Sequence, residues 1–322
     1  MIARRNFLLS AGGLALSSQL PAQAQSFPTR PVTLYCAFPA GGPTDQVFRA
    51  FGEAASKTLK QAVVVENKPG AGGTLAALAM RNARPDGHTL AQMPMGMFRI
   101  PHMQKTQTFD PIKDFTYVIN LTGYTFGLVL PSESPIKSIK DLVEYAKANP
   151  GQFTYGSTGI GTSPHLAVEE FASRAGIKLN HVPFKGSADL MQGVVGGHVM
   201  SASDSTGWAP YIESGRLRLL ATYGGKRTKR WPEVPTLNEL GYETVSDSPF
   251  GLGAPRGLDP KALQVLHDAF RQALEDANVL KMLDRYDQPV VYMSSAEYTD
   301  WATKTYQAEA ATIERLGMKG SI

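Results

Sequence analysis

Apolar positions change their spacing repeatedly along this chain, from unbroken runs to recurrence every three or four residues. Residues 31–37, Pro31-Val32-Thr33-Leu34-Tyr35-Cys36-Ala37, are apolar and β-branched throughout, which predicts a buried strand. From Gln46 to Lys57 the apolar residues Val47, Phe48, Ala50, Phe51, Ala54 and Ala55 fall at helical spacing. The same reading predicts strands over 62–66, 88–92, 117–120, 126–130, 153–156, 180–183, 199–203, 217–222 and 289–292. It predicts helices over 74–83, 139–148, from Pro164 onward, and over 188–195, 208–213, 260–275, 278–286 and 296–316. Such alternation points to an α/β fold, with parallel or mixed sheets covered by helices. The length exceeds one comfortable core and suggests two lobes. No internal repeat or low-complexity tract interrupts the pattern.

Two junctions between these elements carry candidate chemistry. Phe38-Pro39-Ala40-Gly41-Gly42-Pro43-Thr44-Asp45 joins the first strand to the first helix. Its glycines let the backbone bend where a Cβ would clash, and Thr44 or Asp45 can cap the helix. The free N–H groups and the positive dipole end then favour an anion. It is not a phosphate loop, because GxxxxGK[ST] is absent. The second junction, more than a hundred residues later, is Ser157-Thr158-Gly159-Ile160-Gly161-Thr162-Ser163, with Ser163 as an N-cap and Pro164 at the first helical position. Two glycine turns that each open a helix suggest two lobes, each offering an anion site. A third turn, Gly70 to Gly73, reads as packing.

The N-terminus is an address rather than structure. Arg4-Arg5, an apolar stretch over 7–20 and Ala22-Gln23-Ala24 predict a signal peptide over 1–24 and an exported protein. Its start resembles a twin-arginine signal, with Ala3 and Leu9 where Ser/Thr and Lys are usual, so the twin-arginine and general secretory routes both stay open. No other apolar run is long enough to cross a bilayer. The formal charge of +4 loses two positives with the leader, and the rest is interspersed with acids, so no nucleic-acid footprint is present. Lys226-Arg227-Thr228-Lys229-Arg230 reads as a solvated loop. Cys36 is the single cysteine, which excludes an intrachain disulfide and a thiolate metal site. His88, His102, His181, His198 and His267 lack partners at metal-ligand spacing, so no metal is expected. Gly156 to Gly161 superficially resembles a dinucleotide turn, but Tyr-x-x-x-Lys and G-x-S-x-G are both absent and no acid/base pair stands out. Neither a cofactor nor an enzyme is indicated; the alternative is an exported enzyme acting on a small carboxylate.

The ordered set of motifs carries a resemblance. After the leader come Pro31-Val32, the 38–45 turn, Val63-Val64-Val65-Glu66-Asn67-Lys68-Pro69-Gly70-Ala71-Gly72-Gly73 and Pro85-Asp86-Gly87-His88-Thr89-Leu90. Then follow Tyr155-Gly156-Ser157 through Ser163-Pro164-His165-Leu166, Val182-Pro183-Phe184-Lys185-Gly186 and Gly215-Arg216-Leu217-Arg218. Across nearly the whole mature chain this resembles the Bug-type extracytoplasmic solute receptors of the tripartite tricarboxylate transporter family. The resemblance implies a type II periplasmic binding protein, two α/β lobes with a hinged ligand cleft, lobe 1 over 26–125 plus 250–322 and lobe 2 over 126–249, with crossings near 124–128 and 248–253. It implies a monomer in the periplasm that binds a small organic carboxylate and hands it to integral-membrane permease subunits.

The site residues implied by the resemblance are Phe38, Ala40, Gly41, Gly42, Thr44 and Asp45, then Ser157, Thr158, Gly159, Gly161, Thr162, Ser163 and His165, with Lys185 and Asp204. Around Asp204 the run Met200-Ser201-Ala202-Ser203-Asp204 is smaller and more polar than the family's Asp-x-Met-Phe-Asp. Thr44 can bond a ligand oxygen or cap its helix. Asp45 suits the helix start better than an anion beside it, though it could meet an ammonium or hydroxyl. His165 can donate to a carboxylate or brace its own loop. Lys185 supplies a point charge or lies on the surface.

Overall fold

The computed structural model describes residues 27–322. The expected leader over 1–24 lies outside the described residues. Among the described residues eleven strands run in chain order: β1 (Val32–Cys36), β2 (Val63–Asn67), β3 (Thr89–Gln92), β4 (Phe115–Thr122), β5 (Phe126–Pro131), β6 (Thr154–Ser157), β7 (Asn180–Pro183), β8 (Ser201–Ser205), β9 (Leu217–Thr222), β10 (Phe250–Pro255) and β11 (Val290–Met293). Between them lie the helices α1 (Pro43–Leu59), α2 (Thr74–Arg81), α3 (Gly96–Met103), α4 (Ile139–Ala148) and α5 (Ser163–Ala175), followed by α6 (Ser187–Val195), α7 (Ala209–Glu213), α8 (Pro260–Ala273), α9 (Ala277–Arg285) and α10 (Ser295–Arg315).

The strands form two mixed sheets, as the strand–helix alternation predicts. A six-stranded sheet has the order β11-β4-β10-β3-β1-β2, and a five-stranded sheet β7-β6-β8-β5-β9. In the first, β1 pairs parallel with β2 and β3, while β10 runs antiparallel between β3 and β4. In the second, β6 pairs parallel with β7 and β8, and β5 is antiparallel to β8 and β9. The chain leaves the first sheet after β4, crosses at Gly123-Tyr124-Thr125 into β5, and returns between β9 and β10.

Each sheet is covered on both faces. Phe48, Phe51, Leu266 and Phe270 from α1 and α8 close one side of the first sheet, and Met80, Phe98, Met103 and Tyr298 the other. Cys36 is buried in the first of these clusters, and burial pushes its thiol up to about 12, so it behaves as a small core hydrophobe. The second sheet packs Leu142, Phe153 and Phe171 on one face and Leu190, Val194 and Trp208 on the other.

Three elements depart from expectation. α3 has no predicted counterpart. Its residues from Gly96 to Pro101 are buried on every side, so no polar stripe marks a helical period, and Pro101 sits inside it. β8 lies two residues later than expected, because a run of small polar residues forms a fully buried strand. Its hydroxyls are satisfied within the lobe: Ser201 donates to the Thr154 carbonyl and Ser203 to that of Pro164. β10, read only as a crossing, is a central strand with all six residues buried. Its Gly251 and Gly253 leave room for the Tyr298 ring and the Met93 side chain, where a Cβ would collide.

Candidate functional site

The N-termini of three helices meet between the two sheets: α1 from the first, α5 and α6 from the second. Their N-cap residues are Gly42, Thr162 and Gly186, and none carries a side-chain cap bond. By contrast α4, α8, α9 and α10, which begin elsewhere, are capped by Ser138, Asp259, Asp276 and Ser294. Uncapped first-turn N–H groups therefore face the gap, and with the helix dipoles they favour negative charge there.

The gap holds a cavity of about 50 Å³, with Thr44, Tyr124, Thr158, Thr162, Ser163, Ser187 and Asp204 in its wall. The lobes touch around it. Gly186 packs under Pro39, where a Cβ would lie 2.7 Å from the proline Cγ. Gly72, at φ 64°, faces the Ile160 carbonyl, which a Cβ would approach to 2.6 Å. The third glycine turn is thus packing, but packing between lobes. Larger space opens outside this contact, in a groove of about 840 Å³.

Hydrogen-bond polarity can be followed outward from fixed donors to the wall. The Ala37 N–H donates to Gln92 Oε1 at 3.1 Å, which orients that amide, and Gln92 Nε2 donates to the Tyr124 hydroxyl at 2.9 Å. Tyr124 then has its own proton for Thr44 Oγ1, 3.0 Å away, which frees the Thr44 proton for the cavity. From α3, Arg99 Nη1 donates to Ser163 Oγ at 3.1 Å. An arginine accepts nothing, so the Ser163 proton also turns elsewhere. Arg99 is itself held by Glu309 through Nη2 and Oε1 at 3.0 Å, while its Nε and Oε2, also 3.0 Å apart, miss hydrogen-bond geometry.

The other expected residues divide by position. Phe38, Gly42 and Thr158 join the cavity wall, whereas Ala40 and Gly41 are exposed and outside it. A Cβ at Gly41 would meet nothing, although its φ of 83° favours glycine. Asp45 is buried beneath the turn and accepts from the Gly41 N–H at 2.9 Å, from Arg49 and from Asn67. It holds the loop, and these donors keep its carboxyl below the usual range despite burial. Ser157 bonds His181 Nε2 at 2.7 Å, and His165 Nδ1 accepts from the Gly161 N–H at 3.1 Å while its ring stacks on His181 at 4.0 Å. Burial lowers His165 to about 3 and His181 to about 4, so both rings are neutral braces. Gly159 accepts from Thr162 Oγ1 at 2.7 Å and lines the outer groove. Lys185 is exposed and lines that groove too, outside the smaller cavity.

Sequence reading missed Gln92, Tyr124, Arg99 and Ser187. Ser187 was findable, since it follows a strand and Gly186 at a helix start, the same signature as the two turns chosen. Arg99 was hidden in the unpredicted α3. Among the described residues, Asp204 is the one charged side chain in the cavity wall, and no cluster of metal-ligating residues occurs. The rest of the cavity's polar wall is made of hydroxyls and helix-start backbone.

Comparison with known proteins agrees with that geometry. A family model described as tripartite tricarboxylate transporter family receptor matches residues 47–318. The UPF0065 protein of the gbd 5′ region in Cupriavidus necator is 50% identical over 322 residues, covering 98% of each chain. Among solved structures, periplasmic binding protein BugD matches with a TM-score of 0.86 at 28% identity, over 91% of this chain and 99% of BugD. Rpa4515 of R. palustris, solved with adipate, matches at 0.84 and 28%, over 90% and 98%. With two mixed α/β sheets facing each other across a donor-lined cleft, the chain belongs to the tripartite tricarboxylate transporter receptor family, as a Bug-type periplasmic solute-binding receptor.

Proposed function

We propose that this receptor captures a small organic carboxylate between its lobes in the periplasm and delivers it to integral-membrane permease subunits. The observation that carries the reading is the polarity of the cavity wall. Thr44 from one lobe and Ser163 from the other each have a proton left over for the same small space. A carboxylate accepts from such fixed donors with little ordering cost. The adipate bound by Rpa4515 supports the same ligand class. We divide the lobes at 26–125 plus 250–322 and 126–249, with the hinge at Gly123-Tyr124-Thr125 and near Ser248. With the lobes in contact around about 50 Å³, a ligand that touches both stabilises closure. Export would proceed with cleavage after Ala24, leaving Gln25 first. The imidazoles are neutral braces, and none of them lies in the cavity wall.

A thermal-shift panel of mono-, di- and tricarboxylates tests the reading. A ligand at a hundredfold over its Kd should stabilise the chain by about 2.7 kcal/mol. It should be recovered unchanged after incubation. A panel without any shift would overturn the assignment.

A further inference from the structure

The wall of the cavity contains one charged side chain, and its sign is wrong for an anion. Asp204 is buried at the end of β8, and Ser187 Oγ from the start of α6 is hydrogen-bonded to its Oδ2. Both residues line the cavity. No lysine or arginine lines it among the described residues. The charged and titratable groups on the surrounding elements are engaged elsewhere. Asp45 of α1 is held by Gly41, Arg49 and Asn67. His165 of α5 faces Gly161 and His181, and Glu169 on the same helix accepts from Tyr155 of β6. Asp189 of α6 is exposed. Arg99 of α3 is spent on Ser163 and Glu309. Tyr124 and Tyr223, the hydroxyls nearest in charge to Asp204, are kept protonated by burial, and Tyr286 lies behind Thr206, which donates to its carbonyl.

We infer that Asp204 carries a proton when the receptor holds its carboxylate, so that anion and proton are taken up together and Ser187 is switched from acceptor to donor. The inference rests on the proposed carboxylate function and adds the protonation state that the site demands. An ionised Asp204 consumes the Ser187 proton, leaving only oxygen lone pairs and a nearby negative charge to face the ligand. A protonated Asp204 gives its own O–H to Ser187 Oγ, and the Ser187 proton becomes a third donor beside those of Thr44 and Ser163. No bond other than hydrogen bonds is made, and the proton comes from solvent. Desolvation in this wall raises the Asp204 carboxyl to about 7, which makes the uptake accessible at ordinary periplasmic acidity.

The test uses the mature chain with carboxyl-labelled aspartate, the Asp204 resonance being identified by its absence in Asp204→Asn. In the protein alone the resonance should titrate near neutrality, and adipate should move its midpoint upward. Calorimetry with adipate in buffers of different ionisation heat should show proton uptake above pH 7, and affinity should fall by up to about tenfold per pH unit there. Asp204→Asn, whose amide donates to Ser187 at every pH, should bind with a flat profile. A resonance that titrates in the usual carboxylate range overturns the inference without any ligand. So does adipate binding that releases or takes up no proton across neutrality. Absence of binding at every pH by adipate and by every other carboxylate of the thermal-shift panel would count against the carboxylate function instead, with the Asp204 resonance still deciding the inference.

Discussion

Arg99 links the two lobes through a single donor, and its charge is balanced by one partly buried partner. Its side chain is 7% exposed and that of Glu309 12%. Removing one member of such a pair leaves the other uncompensated, so Arg99→Met should cost about 3–5 kcal/mol in urea unfolding. Arg99→Met with Glu309→Met should recover most of it. Equal loss in the single and double variants would mean the charge balance is not what matters. The stacked histidines give a pH signature. Their folded values, about 3 for His165 and about 4 for His181, lie below the ordinary imidazole value. The unfolded chain takes up protons first as pH falls, so their contribution is full above about 6.5 and is lost toward about 4. Asp204 has the opposite slope, because its raised value costs stability as pH climbs from about 4 to about 7. His181→Gln should therefore lose less melting temperature than wild type between about pH 7 and about pH 5. An unchanged difference would put the acid sensitivity elsewhere. At this scale the sequence singles out candidate loops but not which way their side chains turn. Asp45 and His165 brace their turns, and that depends on Arg49 one helical turn on and on Asn67 and His181, which are distant in the chain.

Helix starts separate two uses of the same backbone groups. Where an α-helix begins away from the cleft, a side chain usually takes the first N–H groups; where it begins at the cleft, they are left for something else. The clearest structural case is α10, in which Ser294 and Glu297 form a reciprocal capping box. Ser294→Ala should cost about 1 kcal/mol in thermal unfolding and leave carboxylate affinity unchanged. A loss of affinity would show that α10 reaches the site by more than the Arg99–Glu309 pair. Strands such as β4 and β5 were legible as short apolar runs buried on both faces, and the long amphipathic helices by a single apolar stripe. α3 and β8 were not, for opposite reasons. α3 is buried all round and so has no period, while β8 is polar by composition yet buried, since its hydroxyls find carbonyls and Tyr223.

The whole molecule is two sheets joined by two crossings, with glycines at the points where the lobes touch. Gly186 under Pro39 and Gly72 against Ile160 let the backbones come close beside the cavity. Arg315 donating to Glu170 at 2.9 Å and Arg99 to Ser163 hold the same seam from the side. Two lobes could be inferred from length and from the paired turns, but the central position of β10 could not, because its glycines erase the strand signal. The account depends on ligand contact with both lobes at once. Its most direct test is calorimetric titration of the wild type, Thr44→Val and Ser163→Ala with the carboxylate that gives the largest thermal shift. One site per chain is predicted, and each variant, one from each lobe, should lose about 1.5–3 kcal/mol of binding. Binding by both variants at the wild-type affinity would contradict the account, since the ligand would then lie outside the cleft.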